Sequence, residues 1–177
     1  MRGDNQTGEK TKQEIAVDHG AIAYSSSSFG GWIRDTKSQT LRATGGDYGG
    51  GSETIINQNG RLRRKTPLEC ERLQGFPDNW TNIGDWVDSL GKTHKEADTP
   101  RYKALGNSIA IPFWQWLMGR MAEHLKNDGI ENPTMASLFD GIGGFPLCAI
   151  RSGINPVWAS EIEEFPMAVT RIRFGDE

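Results

Sequence analysis

Cysteine is nearly absent. Cys70 and Cys148 are the only two in 177 residues. One pair cannot make the disulfide framework of a small secreted domain, so both read as reduced thiols of a cytoplasmic protein. Histidine is also scarce. His19, His94 and His124 stand far apart and near no cysteine pair, so nothing has zinc-ligand spacing and no metal is expected. No apolar run is long enough to span a bilayer. The polar start Met1-Arg2-Gly3-Asp4-Asn5 lacks the apolar stretch of a signal peptide, so no membrane contact is expected. Positive charge is not in excess either: 20 Lys and Arg face 23 Asp and Glu, a net charge of −3. Bulk attraction to a polyanion is excluded, and any nucleic-acid contact must be local. The hydrophobic fraction of 36%, with 22 glycines besides, is near the globular norm and excludes a wholly disordered chain. The length suits one domain, or one domain with an appendage.

Glycine, by contrast, is plentiful and uneven. Residues 1–23 are polar and read as a mobile arm or the frayed end of something larger. Residues 24–60 are rich in Ser, Gly and Thr, above all Thr44-Gly45-Gly46-Asp47-Tyr48-Gly49-Gly50-Gly51-Ser52, and no long helix survives there. Ordered loops and a flexible linker both fit this composition. Tyr24, Phe29, Trp32 and Tyr48 favour ordered loops, because solvating linkers rarely contain Trp. Thr54-Ile55-Ile56 is a strand candidate, closed by the hairpin dipeptide Asn59-Gly60. Arg61-Leu62-Arg63-Arg64-Lys65 then carries four cations in five residues. Such a run is commonly a solvated face; phosphate contact is the sharper reading.

Thr66-Pro67-Leu68-Glu69 is a helix start: Thr66 caps, Pro67 takes the first helical position, and Glu69 stands three after the cap. The helix is expected over 67–74, ending at Gly75. Residues 78–100 read as irregular. A second helix is expected from near Pro112, with Phe113, Trp114, Leu117, Met118, Met121 and Leu125 as its apolar core face. Residues 127–133 form a linker by composition.

Beyond the linker the pattern changes. Residues 135–139 read as a buried strand, 140–144 as a glycine-rich turn, 145–152 as a helix stopped by Gly153, 156–159 as a second strand and 164–173 as a last helix. That is one β-α-β-α unit, the opening of a doubly wound α/β sheet. Glycines after the first strand permit a tight turn and a close ligand approach. Glu161 lies 20 residues after Gly141, at the carboxyl end of the second strand, where a carboxylate can accept from both ribose hydroxyls. The pattern is Gly-x-Gly-Gly and departs from the dinucleotide fingerprint. Spacing alone leaves two readings open, a nucleoside-type ligand or an ordinary tight turn beside a surface Glu. A nicotinamide-dependent oxidoreductase is disfavoured.

Ser137-Leu138-Phe139-Asp140-Gly141-Ile142-Gly143-Gly144-Phe145, followed by Trp158-Ala159-Ser160-Glu161-Ile162-Glu163, resembles the first two motifs of the DNA cytosine-5 methyltransferase family. Residues 66–78, Thr-Pro-Leu-Glu-Cys-Glu-Arg-Leu-Gln-Gly-Phe-Pro-Asp, resemble its ninth motif. Residues 102–112, Tyr-Lys-Ala-Leu-Gly-Asn-Ser-Ile-Ala-Ile-Pro, resemble its tenth, and Thr40-Leu41-Arg42-Ala43-Thr44-Gly45-Gly46 the end of its target recognition domain. The motif order is unusual, since in the usual member the first motif opens the chain and the tenth closes it. The resemblance therefore implies a circularly permuted chain. Its termini would be rejoined through the linker, which reaches about 23 Å when extended.

The implied fold is a partial doubly wound S-adenosylmethionine-dependent methyltransferase fold plus an irregular glycine-rich remnant of a target recognition domain. Its parts are a polar arm at 1–23, the recognition tail at 24–65, the ninth- and tenth-motif region at 66–126, the linker at 127–133 and the truncated start of the cofactor domain at 134–177. The implied cofactor is S-adenosylmethionine, and the implied reaction is methyl transfer to cytosine C5 in double-stranded DNA, as in restriction–modification systems of phage or bacteria. By the same resemblance Phe139 is expected to face the adenine. Asp140, Gly141, Gly143 and Gly144 form the turn, Glu161 holds the ribose, Ile162 packs on the purine, and Asn107 and Ser108 close the methionine end. Asn107 has the plainer alternative of capping the Pro112 helix. Arg42, Gly45, Gly46, Arg61, Arg63, Arg64 and Lys65 are the expected DNA contacts, and Arg72 is expected to brace the recognition region against the cofactor domain.

The family's nucleophile is a cysteine directly after a proline. Cys70 follows Glu69 and Cys148 follows Leu147, so no catalytic residue is assigned. The chain alone is expected to be inactive, a truncated product or one subunit of a split enzyme with a complementing methyltransferase chain. A non-catalytic DNA- or partner-binding module is the alternative.

Overall fold

The computed structural model describes residues 21–26, 32–35, 37–38, 41 and 54–175. These fall into two compact units, one made of the described residues up to 38 together with 54–64, the other of Leu41 and everything from Lys65 onward.

The first unit is an antiparallel sheet of β1 (Ala21–Ser26), β2 (Trp32–Asp35), β3 (Thr54–Gln58) and β4 (Arg61–Arg64), in the order β2-β1-β3-β4. Alternation sends Thr54 and Ile56 inward beside Ser25. The β3–β4 turn is Asn59-Gly60, both with positive φ (52° and 80°), as a two-residue hairpin requires. The strand expected at 54–56 is present and longer. The basic run, for which a solvated face and phosphate contact are both open, lies largely on the edge strand β4. The expected boundary between arm and recognition tail, at 23/24, falls inside β1. The glycine run at 44–52 lies outside the described residues.

In the second unit, α1 (Pro67–Gln74) has the expected bounds. The Thr66 hydroxyl accepts from Glu69 N–H at 3.2 Å while the Glu69 carboxylate accepts from Thr66 N–H at 2.8 Å, and Gly75 ends the helix at φ 82°. The stretch expected to be irregular contains a small hairpin, β5 (Trp86–Val87) with β6 (Thr93–His94), and the start of α2 (Asp98–Gly106). The next helix, α3 (Ile111–Asn127), is capped at Ala110, so Asn107 is not its N-cap but the C-cap of α2. The apolar stripe expected on α3 is corrected too. Of the stripe, Met118 is buried and Trp114, Leu117 and Leu125 are half-buried, but Phe113 and Met121 are exposed while Ile111 and Ala122 are buried, because α4 covers a face turned to one side of the expected one. The linker begins as an ordered helix cap, with Gly129 and Ile130 N–H donating to Lys126 and Leu125 carbonyls.

β7 (Thr134–Leu138) and β8 (Asn155–Ser160) pair in parallel through α4 (Gly144–Arg151), the expected β-α-β crossover. α4 lies on α3: Trp114 meets Phe145 edge-on at 4.9 Å, and the Cys148 thiol donates to Ile111 O at 3.6 Å. β7 is not buried on both faces as expected; Ser137 is buried, but Leu138 is exposed, as are Val157 and Trp158 of β8. The last helix, α5 (Glu164–Phe174), packs against residues 79–103. Phe165 meets Trp86, Phe174 meets Trp80, Lys103 pairs with Glu163 at 2.8 Å, and Arg173 donates to the carbonyls of Asn79, Trp80 and Asn82. A cavity of about 610 Å³ lies between α5, β8 and α4, lined by Pro146, Ile150, Trp158, Met167 and Phe174 among others. Among the described residues no helix is long and apolar enough to cross a membrane.

Candidate functional site

The glycine-rich turn joins the end of β7 to the start of α4, at the carboxyl edge of the parallel pair. Its shape follows from a few bonds. Ser137 Oγ donates to Asp140 Oδ1 at 2.5 Å, Asp140 N–H donates to Ser160 O of β8 at 2.9 Å, and Gly143 N–H donates to Asp140 O at 3.2 Å. Ile142 is buried, and its carbonyl accepts from the Trp80 indole N–H at 2.7 Å. Gly143 has φ 80° and Phe174 lies against it, so no side chain fits there. A Cβ on Gly144 would stand 2.8 Å from Ile109, which is how the loop after α2 comes to rest on this turn. Beside Gly141 nothing lies within 4 Å of a notional Cβ, so that side of the turn is open.

Around the open side stand the residues singled out in the sequence. Glu161 follows β8 directly. Its Oε2 accepts from Gly141 N–H at 2.6 Å, and its Oε1 accepts from Ile162 and Glu163 N–H at 2.7 and 3.0 Å. Partial burial works against its charge, but the three backbone N–H groups outweigh burial and hold the carboxyl below its ordinary range. Phe139 is 79% exposed and Ile162 83% exposed, on either side of this carboxylate in the chain. Phe139 has φ 53°, a strained conformation for an aromatic residue, and such strain gathers at binding sites. Asp140 is buried. Desolvation, countered by the Ser137 hydrogen bond and reinforced by Glu161, pushes its carboxyl up to about 6. Its Oδ2 is buried with no hydrogen-bond partner among the described residues. An open turn, an orphaned buried acceptor, an anionic carboxylate and two exposed apolar side chains fit a polar ligand with a flat apolar part.

Asn107 is exposed and Ser108 half-buried, one and two residues before Ile109. The ninth-like segment is locked to the tenth-like one: Gln74 Nε2 donates to Leu105 O at 2.7 Å and the Tyr102 hydroxyl to Lys65 O at 2.7 Å. Among the described residues Arg72, expected to brace the recognition region, is engaged locally. It pairs with Asp78, six residues on, through contacts of 2.8 and 2.6 Å, and that carboxyl is held low by the bond. Sequence reasoning missed Trp80, Ile109 and Phe174, which meet the turn from outside. A Trp in a polar stretch was a usable signal, because a buried indole N–H needs an acceptor.

Both thiols are buried and free. Burial pushes Cys70 up to about 11 and Cys148 above its ordinary value, the reverse of an activated nucleophile. Among the expected DNA contacts, Arg42, Gly45 and Gly46 lie outside the described residues. Arg61, Arg63 and Arg64 lie on β4, where Arg63 Nε donates to Gln58 Oε1 at 3.1 Å; Lys65 belongs to the second unit.

Comparison with known proteins adds an independent line. The chain is similar to DNA N-6-adenine-methyltransferase of Escherichia phage P1, 40% identical over 88 aligned positions that cover 39% of this chain and 12% of that protein. Type II methyltransferase M1.ScrFI of Lactococcus lactis subsp. cremoris is 38% identical over 80 positions, 45% of this chain and 18% of its own length. Type II methyltransferase M.Sau3AI of Staphylococcus aureus is 35% identical over 88 positions, 49% of this chain and 18% of its own length. The matches therefore span less than a fifth of each of these relatives. The phage P1 protein is named for adenine N6. A profile described as C-5 cytosine-specific DNA methylase matches residues 4–123, which include the ninth- and tenth-like motifs and stop short of β7. With more than half of its residues matched, this chain belongs to the C-5 cytosine-specific DNA methylase family.

Proposed function

We propose that this chain is a portion of a DNA cytosine-5 methyltransferase that carries the S-adenosylmethionine half-site and part of the DNA-recognition surface, with its motifs in permuted order. The observation that carries this reading is Glu161. It follows β8 directly and accepts from the Gly141 N–H of the turn, and the exposed Phe139 and Ile162 stand two residues before that glycine and next after the carboxylate in the chain. In this reading Phe139 and Ile162 pack on the adenine and Glu161 takes the ribose. Asp140, Gly141, Gly143 and Gly144 shape the turn, and Asn107 and Ser108 close the amino-acid end. An ionised carboxylate offers about four acceptor directions. Three are used, so gripping both ribose hydroxyls requires Glu161 to release a backbone N–H, and Gly141, the donor on the turn, has open space beside it. The bound cofactor supplies an activated methyl group; this chain's residues bind and orient it.

The Pro-Cys nucleophile lies outside this chain in this reading. Neither thiol here is placed or activated for the role, so the chain alone transfers no methyl group. A complementing methyltransferase segment provides the cysteine and covers Leu138, Val157 and Trp158. Arg61, Arg63, Arg64 and Lys65, with Arg42, Gly45 and Gly46, form the contribution to duplex DNA. The test is calorimetry of S-adenosylmethionine binding. Glu161→Ala should weaken affinity at least tenfold, since each hydrogen bond to a charged group is worth roughly 1.5–3 kcal/mol. Equal affinity in the two proteins removes the ribose role. DNA affinity with no cofactor affinity in the wild type favours a non-catalytic binding module.

A further inference from the structure

Behind the glycine turn lies a buried ionic cluster that cofactor contact does not use. Glu71 of α1 is 0% exposed, although Glu is almost never fully buried unless paired. Its Oε1 accepts from Thr81 N–H at 2.9 Å, from the Thr81 hydroxyl at 2.5 Å and from Arg101 at 3.5 Å. Its Oε2 has no hydrogen-bond partner among the described residues. Arg101, in the first half of α2, is buried as well. It donates to Thr81 Oγ1 at 3.1 Å and to Asp98 at 3.0 Å. One carboxylate thus pins α1, the loop after Trp80 and α2.

Buried ion pairs are a poor source of stability, because desolvation offsets their attraction; their best-attested use is to select one geometry. Both arms of this cluster end on the glycine turn. Thr81 adjoins Trp80, whose indole N–H donates to Ile142 O. Arg101 fixes α2, and the loop leaving α2 places Ile109 against Gly144. α2 itself has no side-chain cap, so its position depends on such outside contacts.

We propose that Glu71 and Arg101 are positioning residues that hold the Asn107–Ile109 loop and Trp80 against the glycine turn, and so set affinity for the amino-acid end of the cofactor from a site that touches no ligand. This rests on the cofactor reading above and adds a remote determinant to it. Glu71→Gln preserves shape and acceptor while removing the charge that holds Arg101. S-adenosylhomocysteine affinity should fall about tenfold, or about 1.4 kcal/mol, while affinity for 5′-methylthioadenosine, which lacks the amino-acid end, changes less than about twofold. A merely structural role predicts equal losses for both ligands, and that result overturns the proposal, as does no loss for either. Arg101→Lys, which keeps the charge, should retain most of the affinity; Arg101→Gln, which removes it, serves in place of Glu71→Gln should that variant fail to fold, with the same expected losses. Hydrogen exchange of the ligand-free protein gives a second readout that does not depend on cofactor binding. In Glu71→Gln the amides of Asn107, Ser108 and Gly143 should exchange faster, with α3 unchanged. Unchanged exchange at those amides refutes the clasp even where wild type binds neither ligand, a result that by itself removes only the cofactor reading.

Discussion

α1 and α2 are almost equal in length, 8 and 9 residues, and are held in opposite ways. α1 carries its own instructions: a reciprocal Thr66–Glu69 cap, Pro67 at its first position and a left-handed Gly75 at its end. α2 carries almost none. Its N-cap is Ala97 with no side-chain bond, and Pro100 stands in its first turn. It is held by Glu71 on Arg101, Gln74 on the Leu105 carbonyl and Tyr102 on the Lys65 carbonyl. The helix with weak local signals is the one from which the Asn107–Ile109 loop hangs. A functional loop is therefore set by tertiary contacts, and damage far from it in sequence should reach it.

The largest expected effect tests that dependence. Glu71→Ala leaves the buried Arg101 with the exposed Asp98 as its ion-pair partner among the described residues, and should cost about 3 kcal/mol in denaturant unfolding. Exchange protection should fall in α2 before α1; equal loss in both helices would break the contrast. Next comes the turn itself, which is closed locally by Ser137 on Asp140 as α1 is closed by Thr66. The Asp140 carboxyl sits above its unfolded value of 3.8, at about 6. Its protonated form stabilises the fold below pH 4, and that contribution is lost as pH rises through 6. Asp140→Asn should therefore match wild type near pH 4 and exceed it at pH 8 by on the order of 2 kcal/mol. A constant difference between the two across that range would show that burial does not hold the proton. The smallest effect is Thr66→Ala, about 1 kcal/mol, confined to the first turn of α1. Thermal unfolding with exchange at Glu69 N–H checks it.

What was legible in the sequence follows the same division. The cap of α1, the Asn59-Gly60 hairpin and the β7-α4-β8 unit are written in neighbouring residues, and local rules found them within a residue or two. α2 was missed because its buried residues, Arg101, Ala104 and Leu105, give weak periodicity and a charged residue among them. The apolar stripe of α3 was misplaced because hydrophobicity alone cannot say which side a neighbour covers. Small Ala122 faces inward while Phe113 stays out. In the candidate site, the Gly141–Glu161 juxtaposition was readable from spacing. The buried acceptor of Asp140, the indole of Trp80 and the Glu71–Arg101 pair were not, because each depends on a partner brought in by the fold.

The packing of α3 on α4 has a consequence in the language of chain statistics. The two helices are consecutive along the chain and joined by a short crossover through β7, so their contact closes a small loop. Trp80 to Ile142 spans 62 residues, and Arg173 to the Asn79 carbonyl spans 94. Closure entropy grows with the logarithm of loop length, so these bonds are costly in an open chain. Once α3 and α4 have met, much of the intervening chain is already compact, and the same bonds close much shorter effective loops. The glycine turn thus lies within this local α3–β7–α4 substructure, and Trp80, which holds it from outside, has a long way to come.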